Sequence, residues 1–322
     1  MTVESEAVTS TSTRDLADRT IVITGGTSGL GRRAALDLAE RGATVAIVGR
    51  NEERGAQVEG DAADAAGEII FHRADLAEQA QVRELADDLL ASYEEIHALA
   101  NNAGIARDKR AESPDGIELT LAVNHLAPFL LTHELFPRLR ESAASIDGAA
   151  RVVTTSSGQQ HRTGLDLEDL QLESDYDVLD AYGRTKLANA AFTLELAERL
   201  ERTGAGPDAG GPDPADAAVV ANCFSPGFIR STRIWLGASR RGRLLTWLAA
   251  RVPGIGTDLE TGAGRMVELL AAPEFGERTG VYVDQGDEQP PAADARDPEL
   301  RERLWERSAE LVGVDPDWSS SG

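Results

Sequence analysis

Between residues 14 and 312, short runs of apolar, largely β-branched residues alternate with much longer amphipathic stretches. The short runs are Thr20–Thr24, Thr44–Val48, Glu68–Phe71, Ile96–Ala100, Arg151–Thr155, Ala217–Cys223 and Gly280–Val283. Helical patterns cover Gly29–Arg41, Gln79–Tyr93, Asp115–Glu141, Asp180–Glu201, Thr261–Ala271 and Pro298–Leu311. Parallel strands need a crossover connection, usually a helix, and a sheet covered on both faces has strands that are apolar throughout. The pattern therefore predicts one doubly wound α/β domain, with a parallel sheet of about seven strands flanked by helices.

Composition sets the limits of that domain. The 322 residues suffice for a single large core, expected over residues 14–312. Residues 1–13, rich in Ser, Thr and Glu and without a basic start or apolar stretch, are expected to be a disordered tail and not a signal peptide. Residues 313–322 are expected to form a C-terminal tail, and Thr203–Asp216, rich in Gly, Pro and Asp, an exposed loop. The formal net charge is -23, and Lys109 and Lys186 are the only lysines among 32 basic residues. Such a surface is expected of a protein adapted to a salty cytoplasm, where ions screen its self-repulsion. It argues against nucleic acid as a partner, since phosphate binding needs clustered positive charge. A single cysteine, Cys223, rules out an internal disulfide, and the five scattered histidines show no metal-ligand spacing. No run of 18 apolar residues is present, and a cytoplasmic location is expected.

The turn after the first strand reads Thr24-Gly25-Gly26-Thr27-Ser28-Gly29-Leu30-Gly31 and opens into a helix. Glycines there allow a close backbone approach to a pyrophosphate, and the helix offers free N–H groups and its positive dipole end. This is the pattern of a Rossmann-type dinucleotide site. Cofactor choice is expected at the end of the second strand, where Gly49-Arg50-Asn51 offers a guanidinium in place of a carboxylate. Arg50 suits a 2′-phosphate, with Arg32 and Arg33 adding positive charge, so NADP(H) is expected over NAD(H).

Tyr182 and Lys186 stand four apart on a predicted helix and so share a face. A phenol is a poor base at neutral pH. An ammonium about 4–5 Å away, at an effective dielectric near ~20, stabilises the phenolate by at most roughly 3–4 kcal/mol. The pair is expected to bring the phenol toward the working pH of a general acid–base catalyst. Lys186 is conspicuous in a chain that otherwise uses arginine, which stays charged at any pH of interest.

With Thr24–Gly31, the runs Asn101-Asn102-Ala103-Gly104, Asn124, Ser156-Ser157, Tyr182 to Lys186 and Ser225-Pro226-Gly227 fall in an order that resembles the short-chain dehydrogenase/reductase family, over about Arg14 to Val312. Val123-Asn124-His125-Leu126, Arg184–Asn189 and Arg303–Ser308 resemble its retinol-dehydrogenase-like branch. The resemblance implies a catalytic tetrad of Asn124, Ser157, Tyr182 and Lys186. Ser157 would polarise the substrate oxygen and Tyr182 would exchange the proton. Lys186 would lower the Tyr182 pKa and bind the nicotinamide ribose, and Asn124 would hold a proton-relaying water. It also implies cofactor contacts from Thr24, Gly25, Thr27, Ser28, Gly29, Leu30 and Gly31 in the turn, and from Asp75 and Leu76 near the adenine. Asn102, Ala103 and Gly104 would support the cofactor, with Pro226, Gly227, Ile229 and Ser231 around the nicotinamide. Ser231 stands where the family usually has threonine.

Residues 228–260 are expected to form a substrate lid. Ile229 to Pro253 carries six arginines, Trp235 and Trp247, and no acidic residue. Three uses stay open: an apolar cover or subunit contact, peripheral docking of residues 229–253 on an anionic membrane, or recognition of an anionic substrate. The expected activity is hydride transfer between NADP(H) and a carbonyl or alcohol. Alternatives are reduction of a C=C bond, or a catalytically idle NADP(H) sensor. The resemblance also implies a homodimer or homotetramer, paired through the helices around Asp115–Glu141 and Asp180–Glu201.

Overall fold

Seven parallel strands carry the architecture: β1 (Thr20–Thr24), β2 (Thr44–Gly49), β3 (Glu68–Arg73), β4 (Ala98–Asn101), β5 (Ala150–Thr155), β6 (Val219–Ser225) and β7 (Tyr282–Asp284). They lie in the order β3-β2-β1-β4-β5-β6-β7, and β8 (Asp287–Glu288) returns antiparallel on β7. The computed structural model describes residues 14–146, 148–207, 218–229 and 256–318. The expected tail 1–13, most of the loop 203–216 and most of the lid, Ser231 included, lie outside the described residues.

Successive residues of each strand feed opposite cores, as a period of two requires. Val22, Ala46, Val48, Leu99, Val152 and Ala221 face one cluster; Ile21, Ile23, Val45, Ile47, Ala98 and Val153 face the other. The first cluster is completed by α3 (Gln79–Ser92), α5 (Ala127–Ala143), α6 (Val178–Thr203), the short α8 (Ala293–Arg296) and α9 (Pro298–Val312). The second is completed by α1 (Gly29–Glu40), α2 (Glu52–Asp61) and α7 (Leu259–Ala271). Each buried Val, Leu or Ile contributes about 1.5–3 kcal/mol, so the sheet is held from both sides. Strand order reverses between β1 and β4, and the crevice beyond their carboxyl ends is where this layout binds ligands.

The structure departs from the predicted elements in four places. α2 was not anticipated; Asn51 caps it by accepting the Arg54 N–H, while Gly55 and Gly60 weaken its signature. The stretch Asp115–Glu141 is not one helix. Glu118 caps a short α4 (Leu119–Leu121), a π-helical turn follows over Ala122–Leu126, and only then does α5 begin. β8 adds an eighth, antiparallel strand.

The fourth departure is at the C-terminus. The chain beyond Val312 packs back as far as Trp318, 8% exposed and 4.4 Å from Trp305 between ring centroids. α9 and Trp318 thereby cover Phe129 of α5 and Phe192 of α6. Arg301 pairs with Glu195 and Glu198, and Arg199 lies 4.5 Å from the Trp305 ring centroid. The flank of α5 and α6 that was expected to offer a subunit contact is thus filled, over this aromatic cluster, by the chain itself. Among the described residues no helix is long and apolar enough to cross a membrane, and no His, Cys, Asp or Glu cluster could hold a metal.

Candidate active site

A cleft of about 1340 Å³ runs across the carboxyl ends of the parallel strands. Its first wall is the glycine turn. Gly25 sits at φ 70°, and a Cβ there would lie 3.0 Å from Ala103 Cα, so a side chain would crowd the loop after β4. A Cβ on Gly31 would fall 2.6 Å from Asn102 Nδ2 and 2.7 Å from the Gly25 carbonyl oxygen, so α1 seats against the turn only with glycine there. Thr24 binds the turn to β4. Its hydroxyl accepts the N–H groups of Asn102 (2.9 Å) and Ala103 (3.1 Å), while Asn102 Nδ2 donates to the Thr24 carbonyl. Thr24 and Gly31, expected as cofactor contacts, are buried behind the cleft wall and build it.

Thr27, Ser28, Gly29 and Leu30 line the cleft. Ser28 makes no side-chain cap bond to α1, and no acidic residue occupies the helix's first turn. Those N–H groups and the dipole end consequently remain for an anion, and the cradle suits a dinucleotide pyrophosphate. Farther out, Arg50, Asp75 and Leu76 line the adenosine end. Arg50 is exposed and leans on Asp75 at 3.4 Å. Arg32 also lines the cleft but pairs with Asp61 at 2.5 Å, whereas Arg33 turns to Asp37 and is not among the lining residues. Arg54 and Gln57 of α2 line this end as well. Sequence reasoning missed them with the helix; the Asn51 cap was the signal that would have put both on one face, three residues apart.

At the inner end the two serines after β5 separate. The Ser156 hydroxyl is buried and donates to the Lys186 carbonyl at 2.8 Å, tying β5 to α6. Ser157 lines the cleft and hydrogen-bonds the Tyr182 phenol. α6 starts at an Asp177 cap and presents Tyr182 and Lys186 one turn apart. Lys186 Nζ donates to the Thr155 carbonyl at 2.9 Å and lies 5.6 Å from the Tyr182 ring centroid. Asn124 is fully buried in the π turn and does not line the cleft. Its amide accepts from the Ile105 N–H (2.8 Å) and donates to the Ile105 carbonyl (2.9 Å) and to Thr185 Oγ1 (3.0 Å). It braces the loop after β4; a Cβ on Gly104 would lie 3.5 Å from Asn124 Oδ1 and 3.6 Å from Lys186 Nζ.

The electrostatics correct one expectation. Burial pushes the Tyr182 phenol up to about 12, opposed by the Ser157 hydrogen bond, and burial brings Lys186 down to about 8. The ammonium is bonded to the Thr155 carbonyl, and loss of water around the phenol sets the direction of its shift. The phenol is held protonated at neutral pH. Asn102, Ala103, Gly104, Pro226, Gly227 and Ile229 line the cleft, and Ile105, Leu119, Val123 and Phe228 add an apolar wall. Arg107, Gln159 and Arg162 line it too, without having been singled out from the sequence.

Comparison with known proteins agrees with this geometry. The family model described as short chain dehydrogenase matches residues 19–235. Dehydrogenase/reductase SDR family member 13 of Bos taurus is 39% identical over 311 residues, covering 94% of this chain and 75% of that protein. Polyprenol dehydrogenase of Mus musculus is 36% identical, over 92% and 84% of the two chains. Retinol dehydrogenase 11 of Homo sapiens is 32% identical, over 95% and 90%. Among solved structures, an uncharacterized protein from Mycobacterium paratuberculosis superposes with a TM-score of 0.70 at 29% identity, over 93% of this chain and 95% of that one. The Pseudomonas aeruginosa RhlG/NADP active-site complex gives 0.65 at 25% identity, over 85% and 96%. With residues 19–235 matched and nearly the whole chain aligned to relatives above 30% identity, this chain belongs to the short-chain dehydrogenase/reductase family of oxidoreductases.

Proposed function

We propose that this protein is an NADPH-dependent reductase of apolar aldehydes or ketones, with Tyr182 as the proton donor. The observation that carries the reading is a protonated, buried phenol, hydrogen-bonded to Ser157, in the same cleft as an uncapped glycine turn. NADPH, when bound, supplies the hydride. Ser157 donates a hydrogen bond to the carbonyl oxygen and polarises it, and Tyr182 gives its proton to that oxygen as negative charge develops there. Lys186 keeps a positive charge behind the phenol, held by the Thr155 carbonyl. The glycine turn would hold the pyrophosphate, and Arg50 with Arg54 the adenosine 2′-phosphate. The apolar wall of Ile105, Leu119, Val123 and Phe228 favours a hydrocarbon substrate, and relatives named for retinol and polyprenol dehydrogenation fit it.

The test is a panel of long-chain aldehydes, ketones and enones with NADPH or NADH, followed by loss of reduced-nicotinamide absorbance and by product identification. Carbonyl reduction at least ~10-fold faster with NADPH is expected, since two charge-assisted bonds are worth that factor or more. Saturated ketones as the only products of the enones would point to C=C reduction instead. NADPH binding without turnover of any carbonyl would point to a sensor.

A further inference from the structure

The buried face of α6 carries a polar chain that the proposed chemistry does not use. His125, in the π turn, is 1% exposed and packed between Phe129 and Phe192. Its Nδ1 lies 3.2 Å from Asn189 Oδ1 and its Nε2 2.9 Å from Ser308 Oγ of α9. Asn189 Nδ2 in turn donates to the Thr155 carbonyl at 3.3 Å, the oxygen that also receives Lys186 Nζ at 2.9 Å.

The direction of each bond follows from which groups have protons. Asn189 has its amide N–H on Thr155, so its oxygen faces His125 and must accept; Nδ1 therefore carries the ring proton. The ring is neutral at working pH, because burial, with the Lys186 charge adding to it, brings it down to about 4 against the opposing hydrogen bond to Asn189. Nε2 is then bare and needs a donor, which the Ser308 hydroxyl provides. That hydroxyl is also placed to donate to the Leu304 carbonyl at 2.7 Å, so its one proton is shared between Nε2 and an oxygen one helical turn back that already accepts within α9; Nε2 is the acceptor that depends on it.

We propose that Ser308, His125 and Asn189 form a one-way hydrogen-bond chain that fixes the Thr155 carbonyl and thereby positions Lys186, making the C-terminal helix a support of the reacting groups. Ser308 donates to His125, His125 to Asn189, and Asn189 to the carbonyl that holds the ammonium. No member lines the cleft, so each is a positioning residue. The effect on rate rests on the reductase reading above; the hydrogen-bond direction does not.

The test has two arms. In protein labelled with 15N-histidine, NMR through neutral pH should show His125 as a neutral ring with Nδ1 protonated and Nε2 bare. The Nε2 resonance should shift in Ser308→Ala, a mild substitution on α9. A protonated Nε2, or an Nε2 resonance unmoved by Ser308→Ala, overturns the chain whether or not the protein turns over any carbonyl. In the kinetic arm, His125→Phe keeps the shape without the donor, whereas His125→Asn can place an amide N–H near Nδ1. The Phe variant should lose at least ~10-fold in kcat with carbonyl KM little changed, as small displacements of a reacting group cost. The Asn variant should recover most of that loss. Equal losses in both variants at matched folding, or a KM effect without a kcat effect, would overturn the positioning role. Should His125→Phe fail to fold, Asn189→Ala provides the kinetic comparison, with the same loss of kcat expected and an unchanged kcat refuting the role.

Discussion

Replacing Lys186 with methionine should make the protein more stable while removing its activity. Lys186 is 1% exposed, and burial lowers its pKa from 10.5 to about 8. At ~1.4 kcal/mol per pH unit, holding that amine charged inside the fold costs about 3 kcal/mol. The sign follows from proton counting. Between pH 8 and 10.5 the unfolded chain keeps a proton that the folded chain has released, so this group's contribution to stability rises with pH across that window. Below pH 8 the full penalty applies; above 10.5 it is gone. Met fills a similar volume and has no charge to desolvate. The Thr155 carbonyl keeps its Asn189 donor, so the bond lost with the amine costs about 1 kcal/mol. Lys186→Met should therefore gain about 2 kcal/mol at pH 7, and its advantage should shrink by about 3 kcal/mol above pH 10.5. Reversible urea denaturation of both proteins at several pH values measures this, and titrations common to both cancel in the difference. A variant less stable than wild type at pH 7, or a difference that does not change with pH, would refute the burial argument.

Arg50→Ala should raise the Kd for NADPH about 10- to 100-fold and leave NADH nearly unchanged, measured by nicotinamide fluorescence. The two serines should part company. Ser157→Ala is expected to lower kcat/KM about 100-fold, the cost of one donor aimed at a developing oxyanion. Ser156→Ala should leave the rate within about threefold and cost about 1 kcal/mol in urea denaturation, because its hydroxyl serves the Lys186 carbonyl. Trp305→Ala should cost about 3–5 kcal/mol by the same assay, since the side chain is 2% exposed amid Phe129, Phe192 and Trp318.

Much of this architecture is written in local patterns. β-branched runs and the glycine turn locate β1 and α1, because strand propensity and the backbone freedom of Gly25 are local properties. Tyr182 and Lys186 share a face because helical spacing alone puts them there. The choice of Ser157 over Ser156, first drawn from resemblance, has its physical reason in three dimensions, where the Ser156 hydroxyl is taken up by the Lys186 carbonyl and the Ser157 hydroxyl bonds the Tyr182 phenol. Other features depend on tertiary context. The π turn at Ala122–Leu126 has an amphipathic pattern like that of an ordinary helix, yet it sets Asn124 against the loop after β4. α2 was hidden by Gly55 and Gly60, and Arg54 with it. The Tyr182 pKa depends on burial, which no spacing reveals, so a Coulomb estimate from sequence leaves out the larger effect. Nor does local pattern show that Trp318 returns across the chain to close a flank of α5 and α6.

The central claim is that the Tyr182 hydroxyl supplies the proton for carbonyl reduction. Single-turnover oxidation of bound NADPH by a reactive aldehyde, in wild type and Tyr182→Phe, tests it most directly. The phenylalanine variant should bind NADPH with unaltered affinity and oxidise it at least ~100-fold more slowly, the share usual for a general acid. NADPH oxidation by that variant at near wild-type rate would contradict the claim.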